Sequence, residues 1–466
     1  MKASKIGLLI LVFGFGGIVE TAWSVRQNIG FGPQGCRVLA GRFYGSSFTY
    51  DAKQTQPVPA GAAIEVTNAF GGVTVRAGDA GQVGIALRKV VFRPTEEQAR
   101  AFADQVRIDA ALEGNVLRIG TNRDELENRS ESREVGFETH FELTVPPATA
   151  VTVRNEHGRV EVVDAASVDV TSSFDAVRVQ RIAGAARLQS RHGDVLAEEI
   201  GGDLSLVARH GRVELRDVKG RATVDSEHGD LSAARTGGLV VRASFGDVGV
   251  EGVRGDLEVH SQHGPVTARD VSGAAKIEGS FGDARIAKIG ADLRVEVAHG
   301  AIDVEDASAG VIAETSFADV TLARVGGAVQ VKVAHGGVTA RALEKGAQIN
   351  ASGEDVTIDG FRGEVRVEVE RGGANLLPAG ALTDPVWASA SHGAVRLQVP
   401  PGSRFVLDAT AQPGEVEVDV PGLVLTSTTA GTAKGEIGGG GASVHLQARN
   451  GEVRVQPATT AAAKNP

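Results

Sequence analysis

Residues 191–231 read RHGDVLAEEIGGDLSLVARHGRVELRDVKGRATVDSEHGDL. Within this stretch Val195 and Ala197 alternate with polar residues, then Leu204 and Leu206, then Val213 and Leu215, then Ala222 and Val224. A period of two is the signature of a strand with one face in and one face out. Glycine-containing corners separate the runs, and His-Gly returns at 192, 210 and 228. The outward positions are Arg, Glu, Asp, Thr and Ser.

The pattern extends far in both directions. A His or Phe, usually followed by Gly, recurs at His157, Phe174, His192, His210, His228, Phe245, His263, Phe281, His299, Phe317 and His335, with spacings of 17 or 18. The register continues at Gly353, loosens, and returns at His392. With the ring residue as position 1, position 4 is aliphatic throughout (Val160, Val177, Val195, Val213, Leu231), as is position 6 (Val162, Val179, Ala197, Leu215, Ala233). Position 9 is usually aliphatic too (Ile200, Val218, Val253), and positions 13 and 15 add a second pair, as in Leu257 and Val259.

Neither half of a unit buries its apolar face alone. Stacking successive units supplies both the ladder hydrogen bonds and the core. The expected fold is therefore all-β: a parallel β-helix or β-solenoid with one coil per ~18 residues, capped by less regular β segments and one short helix. About twelve coils between residues 151 and 370 would stack to roughly 55 Å at about 4.8 Å each. The alternative is a long antiparallel β meander with tight turns.

Composition agrees. The chain has 466 residues, 61 of them Gly, with 42% hydrophobic but only 4% aromatic residues. Its net charge of −10 lacks the basic footprint of a nucleic-acid binder, so no nucleic acid is expected as a partner. The single cysteine, Cys36, excludes an intrachain disulfide framework and any multi-cysteine metal cluster. Lys2 and Lys5 precede an apolar and glycine stretch from Ile6 to Val19. Residues 1–25 read either as a secretory signal peptide, with Ala22 and Ser24 at a cleavage site, or as an N-terminal transmembrane anchor with Trp23 at the interface. Either sends the remainder across the membrane.

The organisation expected from these signals is a linker over 26–59, an N-terminal capping region over 60–150, the solenoid over 151–370, degenerate repeats and a cap over 371–457, and a tail over 458–466. In the first cap, AIEVTNAFGGVTVRAG reads as an early degenerate unit around Phe70-Gly71. Thr95 and Gln98 form a capping box for a short helix over 95–106, whose buried face would be Ala99, Phe102, Ala103 and Val106. Asn122 to Glu134 is charged and reads as an exposed loop. GEIGGGG, residues 435–441, reads as a tight connection.

Several of these segments carry a resemblance. VRNEHGRVEV (153–162) following LTVPPATAV (143–151), serial units such as RHGDVLAEEIGGDLSLVAR (191–209), and the closing GEIGGGGASVHLQARNGEVRV (435–455) resemble the bacterial "putative adhesin" family with β-strand repeats, a domain of unknown function. The resemblance covers about Ile64 to Val455. It implies a location in the cell envelope and a repetitive β fold. It supplies no catalytic or ligand residues. The number and regularity of the His/Phe-Gly units depart from the family by implying a longer stack.

Three columns bear on chemistry. His192, His210 and His228 are equivalent in successive coils, where rings about 4.8 Å apart would stand near enough to share a metal. The same column accepts Phe174, Phe245, Phe281 and Phe317, which points instead to a ladder of flat rings. Asp recurs at position 3 (Asp194, Asp230, Asp247, Asp283, Asp319, Asp355), but the G-G-x-G-x-D pattern of calcium rolls is absent, and the reading is a turn residue bonding its own backbone. Carboxylates are spread evenly, and the constant spacing leaves no room for cleft-building loops. No residue is assigned a catalytic, cofactor-binding or metal-ligating role, and no cofactor is expected.

The expected function is thus non-enzymatic: a cell-envelope β-repeat protein acting as a structural or adhesin-like interaction module, attached to the membrane through its N-terminal segment or secreted, with the repeats periplasmic or extracellular. Its partner would be an envelope polymer, a protein, or another copy of itself. One alternative is an envelope-stress or signalling accessory that binds a specific protein. A second is a carbohydrate-active enzyme of the β-helix type.

Overall fold

The computed structural model describes residues 46–128 and 136–458. Residues 1–25, and with them the signal-or-anchor reading, lie outside the described residues, as do residues 26–45 and 459–466. Among the described residues no helix is long and apolar enough to cross a membrane. The chain divides into two compact units on either side of Pro146.

The first unit is built from β1 (Ser46–Pro57), β2 (Ala63–Phe70), β3 (Val73–Ala77), β4 (Gln82–Arg93), α1 (Glu96–Ala103), β5 (Ile108–Glu113), β6 (Val116–Thr121), α2 (Arg123–Glu127) and β7 (Phe137–Val145). β2 and β3 meet at Phe70-Gly71 as the sequence implies, and they stack in parallel on β6 and β7. Around them β1, β4 and β7 run antiparallel, as do β5 and β6. Helix α1 is capped by Thr95, whose Oγ1 accepts from Gln98 N at 3.3 Å, and it buries Ala99, Phe102 and Ala103. It ends at Ala103, earlier than the periodicity predicts, because the buried Lys89 ammonium donates to the carbonyls of Ala103 and Val106. Burial lowers the pKa of that amine.

Two expectations are corrected here. Ser46–Pro57 lies within the expected linker but forms β1, pairing along its whole length with β4 and turning Phe48 and Tyr50 toward the helix core. The segment from Asn122 begins as α2 rather than as an exposed loop. The reason is packing. Leu126 joins the core, and the Arg123 guanidinium lies 3.8 Å over the Phe137 ring while donating to the Phe137 carbonyl at 2.8 Å.

The second unit is the solenoid. Its strands run from β8 (Ala150–His157) and β9 (Val160–Ala165) to β32 (Val386–His392) and β33 (Val395–Val399), making about fourteen coils. Each strand pairs in parallel with its equivalent one coil away, as Leu204–His210 pairs with Ala222–His228 and Val195–Ile200 with Val213–Val218. That pairing excludes the antiparallel meander. Positions 4, 6, 9, 13 and 15 point inward, and Val213, Leu215, Val218, Ala222 and Val224 are all fully buried. At about 1.5–3 kcal/mol per buried aliphatic side chain, these columns are the main source of cohesion between coils.

The stack does not end in sequence order. After β33 the chain forms β34 (Phe405–Ala411), β35 (Val416–Val418), a hairpin of β36 (Val424–Thr429) and β37 (Thr432–Ile437), and then β38 (Ala442–Ala448) and β39 (Val453–Pro457). β38 and β39 lie on β32 and β33, and β34 and β35 lie on top of them. The last coil in sequence is therefore inserted beneath the one before it. The turn that sends it back is Gly438–Gly441, whose four positive φ angles are open to glycine.

Candidate functional site

Each coil has a corner that begins with the ring residue. The rings of His157, Phe174, His192, His210, His228, Phe245, His263, Phe281, His299, Phe317 and His335 form one uninterrupted ladder, with centroids 4.5–5.1 Å apart and planes within 14° of parallel. Stacking explains why His and Phe interchange in this column. The glycine that follows permits the close approach: a Cβ on Gly211, at φ +124°, would sit 2.3 Å from the Gly193 carbonyl oxygen. The ladder stops at Gly353. The rings show solvent their edges, with Phe281 48% exposed. Facing rings 4.8–4.9 Å apart at His192, His210 and His228 do not converge on one ion, whose bonds to imidazole nitrogen are about 2.0–2.1 Å long. Among the described residues no group of three or more His, Cys, Asp or Glu is placed to hold a metal ion.

The position-3 aspartates do not bond their own backbone, as the sequence reading has it. Five of the six reach along the stack, Asp247 being the exception because Pro265, one coil on, has no N–H to donate. Asp194 accepts from Arg212 N at 2.8 Å, Asp283 from Ala301 N at 3.1 Å, Asp319 from Gly337 N at 2.8 Å and Asp355 from Gly373 N at 2.7 Å. The same device recurs at the opposite corner, where Asp203, Asp256 and Asp292 accept from Arg221, Ala274 and Gly310. These three aspartates went unnoticed in the sequence, although they share position 12.

Position 8 is a feature that the search for apolar columns missed. Asp164, Arg181, Glu199, Asp217, Arg235, Asp270, Lys288, Asp306, Arg324 and Ala342 all have φ between +53° and +61°, and the remaining members, Gly252 and Gly360, are positive as well. A single left-handed residue thus kinks every second strand between positions 6 and 9. Its cost to a residue with a Cβ is about 1–2 kcal/mol. Charges of opposite sign mostly follow one another in this column, Glu199 and Asp217 being the like-charged exception. Arg181 bonds both carboxylate oxygens of Asp164 at 2.6 and 2.8 Å, and Arg235 those of Asp217 at 2.6 and 2.7 Å. Arg324 binds Asp306 and Glu305, and Lys288 stands 3.5 Å from Asp270. Hydrogen bonds from their arginines hold the Asp164, Asp217 and Asp306 carboxyls below their ordinary value. The signal legible in the sequence was the frequent alternation of Asp or Glu with Arg or Lys, broken by the successive acids Glu199 and Asp217 and by Gly and Ala.

The outer faces are laced in the same way. His260 lies between Glu258 at 2.9 Å and Glu278 at 2.7 Å, Lys276 pairs with Glu278, and Arg294 pairs with Glu296. A shallow groove of about 810 Å³ runs along the position-8 edge, with Arg181, Asp217, Lys219 and Arg235 among its lining residues. Its wall carries both signs of charge and follows the coil repeat.

These features define a two-sheet parallel β-solenoid repeat protein. No protein family profile matches the chain, and no curated protein matches it. Among solved structures it is similar to a "putative cell adhesion protein" from Clostridium sporogenes, with 8% identity, a TM-score of 0.17, and an alignment spanning 88% of this chain and 100% of that one.

Proposed function

We propose that the chain is a non-enzymatic cell-envelope module of adhesin-like character, displayed outside the cytoplasm on its N-terminal segment, which presents one repeated array of side chains to an extended envelope polymer. The observation that carries this reading is the constancy of the coil. From His157 to His335 the ring residue and the inward columns recur every 17 or 18 residues, so both faces are periodic, and opposite charges pair along the stack, as Arg235 does with Asp217 and Arg294 with Glu296. A periodic face makes many equivalent weak contacts, and their sum gives useful binding to a polymer that repeats. The quoted family resemblance supports the same location.

The test is an in-frame deletion of two whole coils, residues 264–299 (299 − 263 = 36), which keeps every column in register. Binding of the full chain to isolated envelope polymer is expected to weaken with each coil removed. Recovery of one stoichiometric protein partner from a native envelope, unaffected by the deletion, would replace this reading with the signalling accessory. Depolymerisation of the polymer would replace it with the carbohydrate-active enzyme.

A further inference from the structure

The corner opposite the rings changes character at one place in the stack. Position 10, counted from the ring residue, is small at Ala183, Gly201, Ser272, Gly290, Ser308 and Gly326. Where adjacent coils both carry a charge there, the charges pair, as Arg362 does with Glu344 at 3.2 Å. Lys219 and Arg254 also hold position 10, and both line the position-8 groove. They are two coils apart, about 10 Å along the stack. The coil between them is one residue short: Gly237 alone joins Thr236 to Gly238, so no side chain rises between the two cations. β15 (Val213–His228) and β16 (Leu231–Phe245) run through this corner without a break.

Two other columns depart at the same place. Position 12 carries the bridging aspartates Asp203 and Asp256, but in the two coils between them it is Arg221 and Gly238. Arg221 Nε lies 4.0 Å from where a Cβ on Gly238 would stand, so the guanidinium borders the same notch. Position 9 is Val218 and Val253 on the neighbouring coils but Thr236 here, 1% exposed and with its hydroxyl unbonded.

The notch is positive. Lys219, Arg221 and Arg254 are exposed, and none of the three forms an ion pair among the described residues. The nearby acids are engaged elsewhere. Asp217 is held by Arg235 at 2.6 and 2.7 Å, and Asp270 faces Lys288 at 3.5 Å. Asp203 accepts from Arg221 N at 2.9 Å and Asp256 from Ala274 N at 3.0 Å. Glu199 acts on Arg181, and Glu198 and Glu251 act on Arg235. Arg235, Arg254 and Arg216 together hold the one Asp217 carboxyl below its ordinary value, which reflects the excess of cations at this corner.

We propose that the notch over Gly237 binds a phosphate group, the anion standing where a position-10 acid would otherwise pair with its neighbours. The Glu344–Arg362 pair shows that an acid at this position meets the cation one coil away. Here the cations come from three directions, Lys219 and Arg254 from the flanking coils and Arg221 from the other side of the corner. A tetrahedral anion offers oxygens in three directions, whereas a carboxylate offers two in one plane. A phosphate monoester also sets a charge of about −2 against the three cations. The notch interrupts the repeat, so it takes its anion whatever the periodic faces bind, and this inference stands apart from the display reading.

The test is calorimetric titration of the full chain in mild detergent at constant ionic strength, because exposed charges are screened by salt. The probes are inorganic phosphate, glucose 6-phosphate, galacturonate and glucose. Both phosphates are expected to bind at a single site with a Kd on the order of 1 mM, galacturonate at least about tenfold more weakly, and glucose not at all. Tighter binding of glucose 6-phosphate would assign the site to phosphate borne on a glycan, and equal binding to the free ion. A glutamate inserted between Thr236 and Gly237 restores the 18-residue coil and supplies the acid, and is expected to abolish phosphate binding. Lys219→Ser with Arg254→Ser installs the residue found at Ser272 and Ser308, and is expected to weaken binding at least about tenfold with unchanged circular dichroism. Lys332→Ser, which removes an exposed cation elsewhere on the solenoid, is expected to leave binding intact. No saturable phosphate binding, full binding in the two notch variants, or equal loss in Lys332→Ser would overturn the proposal.

Discussion

Ala342 offers a test of the coil's backbone, because two readings of it predict opposite orders of stability. It lies within a strand-like run, ARAL, between the buried Ala340 and Leu343, and by strand propensity Val would be preferred there and Gly disfavoured, over a range of about 1 kcal/mol. The structure places it at φ +53°, in the left-handed region. Removing the Cβ relieves about 1–2 kcal/mol of strain. Part of this is offset by the greater freedom of glycine in the unfolded chain, about 0.4–1 kcal/mol. Ala342→Gly is therefore expected to stabilise the coil by roughly 0.5–1 kcal/mol. Ala342→Val forces a β-branched side chain into the same conformation and is expected to cost about 1–3 kcal/mol. Solenoids open locally, so the assay is native-state hydrogen exchange of the amides in residues 338–343 and in the coils on either side, with urea unfolding as a global check. A variant order of Val above Ala above Gly would refute the kink at position 8 and, with it, the assignment of the charged column to that edge.

Two further outcomes are expected. Asp164, Asp217 and Asp306 have folded pKa values below their unfolded ones, so their contribution is fully present above about pH 4 and is lost as pH falls through the folded values; urea midpoints should drop less between about pH 5 and pH 2 in a variant carrying Asp164→Asn, Asp217→Asn and Asp306→Asn than in the parent, a small effect because these pairs are exposed. Phe281→Ala removes two stacked contacts, to His263 at 5.1 Å and His299 at 4.8 Å, and should cost about 1–2 kcal/mol by urea unfolding, against about 2–5 kcal/mol for Ile277→Ala in the core, while Phe281→His should cost under about 1 kcal/mol because it keeps the ladder.

What the sequence disclosed follows from how each feature is encoded. The coil is written in apolar alternation, and every position-4 and position-6 residue of the repeat faces inward as the alternation requires. The ring ladder was readable because two chemically different residues that share only planarity exchange in one column. The aspartates were misjudged for a physical reason. A local turn and a bond to the next coil call for the same residue type, and only the stacking distance selects between them. The position-8 kink was hidden because it leaves the inward alternation before and after it unbroken. Strand β1 was hidden because a polar strand on a sheet edge resembles a linker in composition. The inserted order of β38 and β39 was beyond reach, since parallel stacking obeys the same local rules whichever coil comes first.

The two corners of the coil also differ in what they tolerate, and the difference explains where variation enters. Val160 and Val177 are paired one coil apart, 17 residues, while Val168 pairs with Ala186 at 18, so the short first coil loses its residue between Ala165 and Val168. The second short coil loses one in the same place: Val218 pairs with Thr236, but Arg221 pairs with Gly238. The long coil gains there too, because eight positions separate Pro378 from Val386 where four separate Phe361 from Val365. The ring corner never changes length, because a residue added or removed between the ring and position 4 would break ring-on-ring contact, the glycine approach and the aspartate bond at once. The opposite corner holds only the aspartate bridge, so losing or adding a residue there sacrifices one hydrogen bond and leaves both strands in register. The ladder of rings therefore acts as the ruler of the stack, and new chemistry in this architecture enters at the second corner or at the ends.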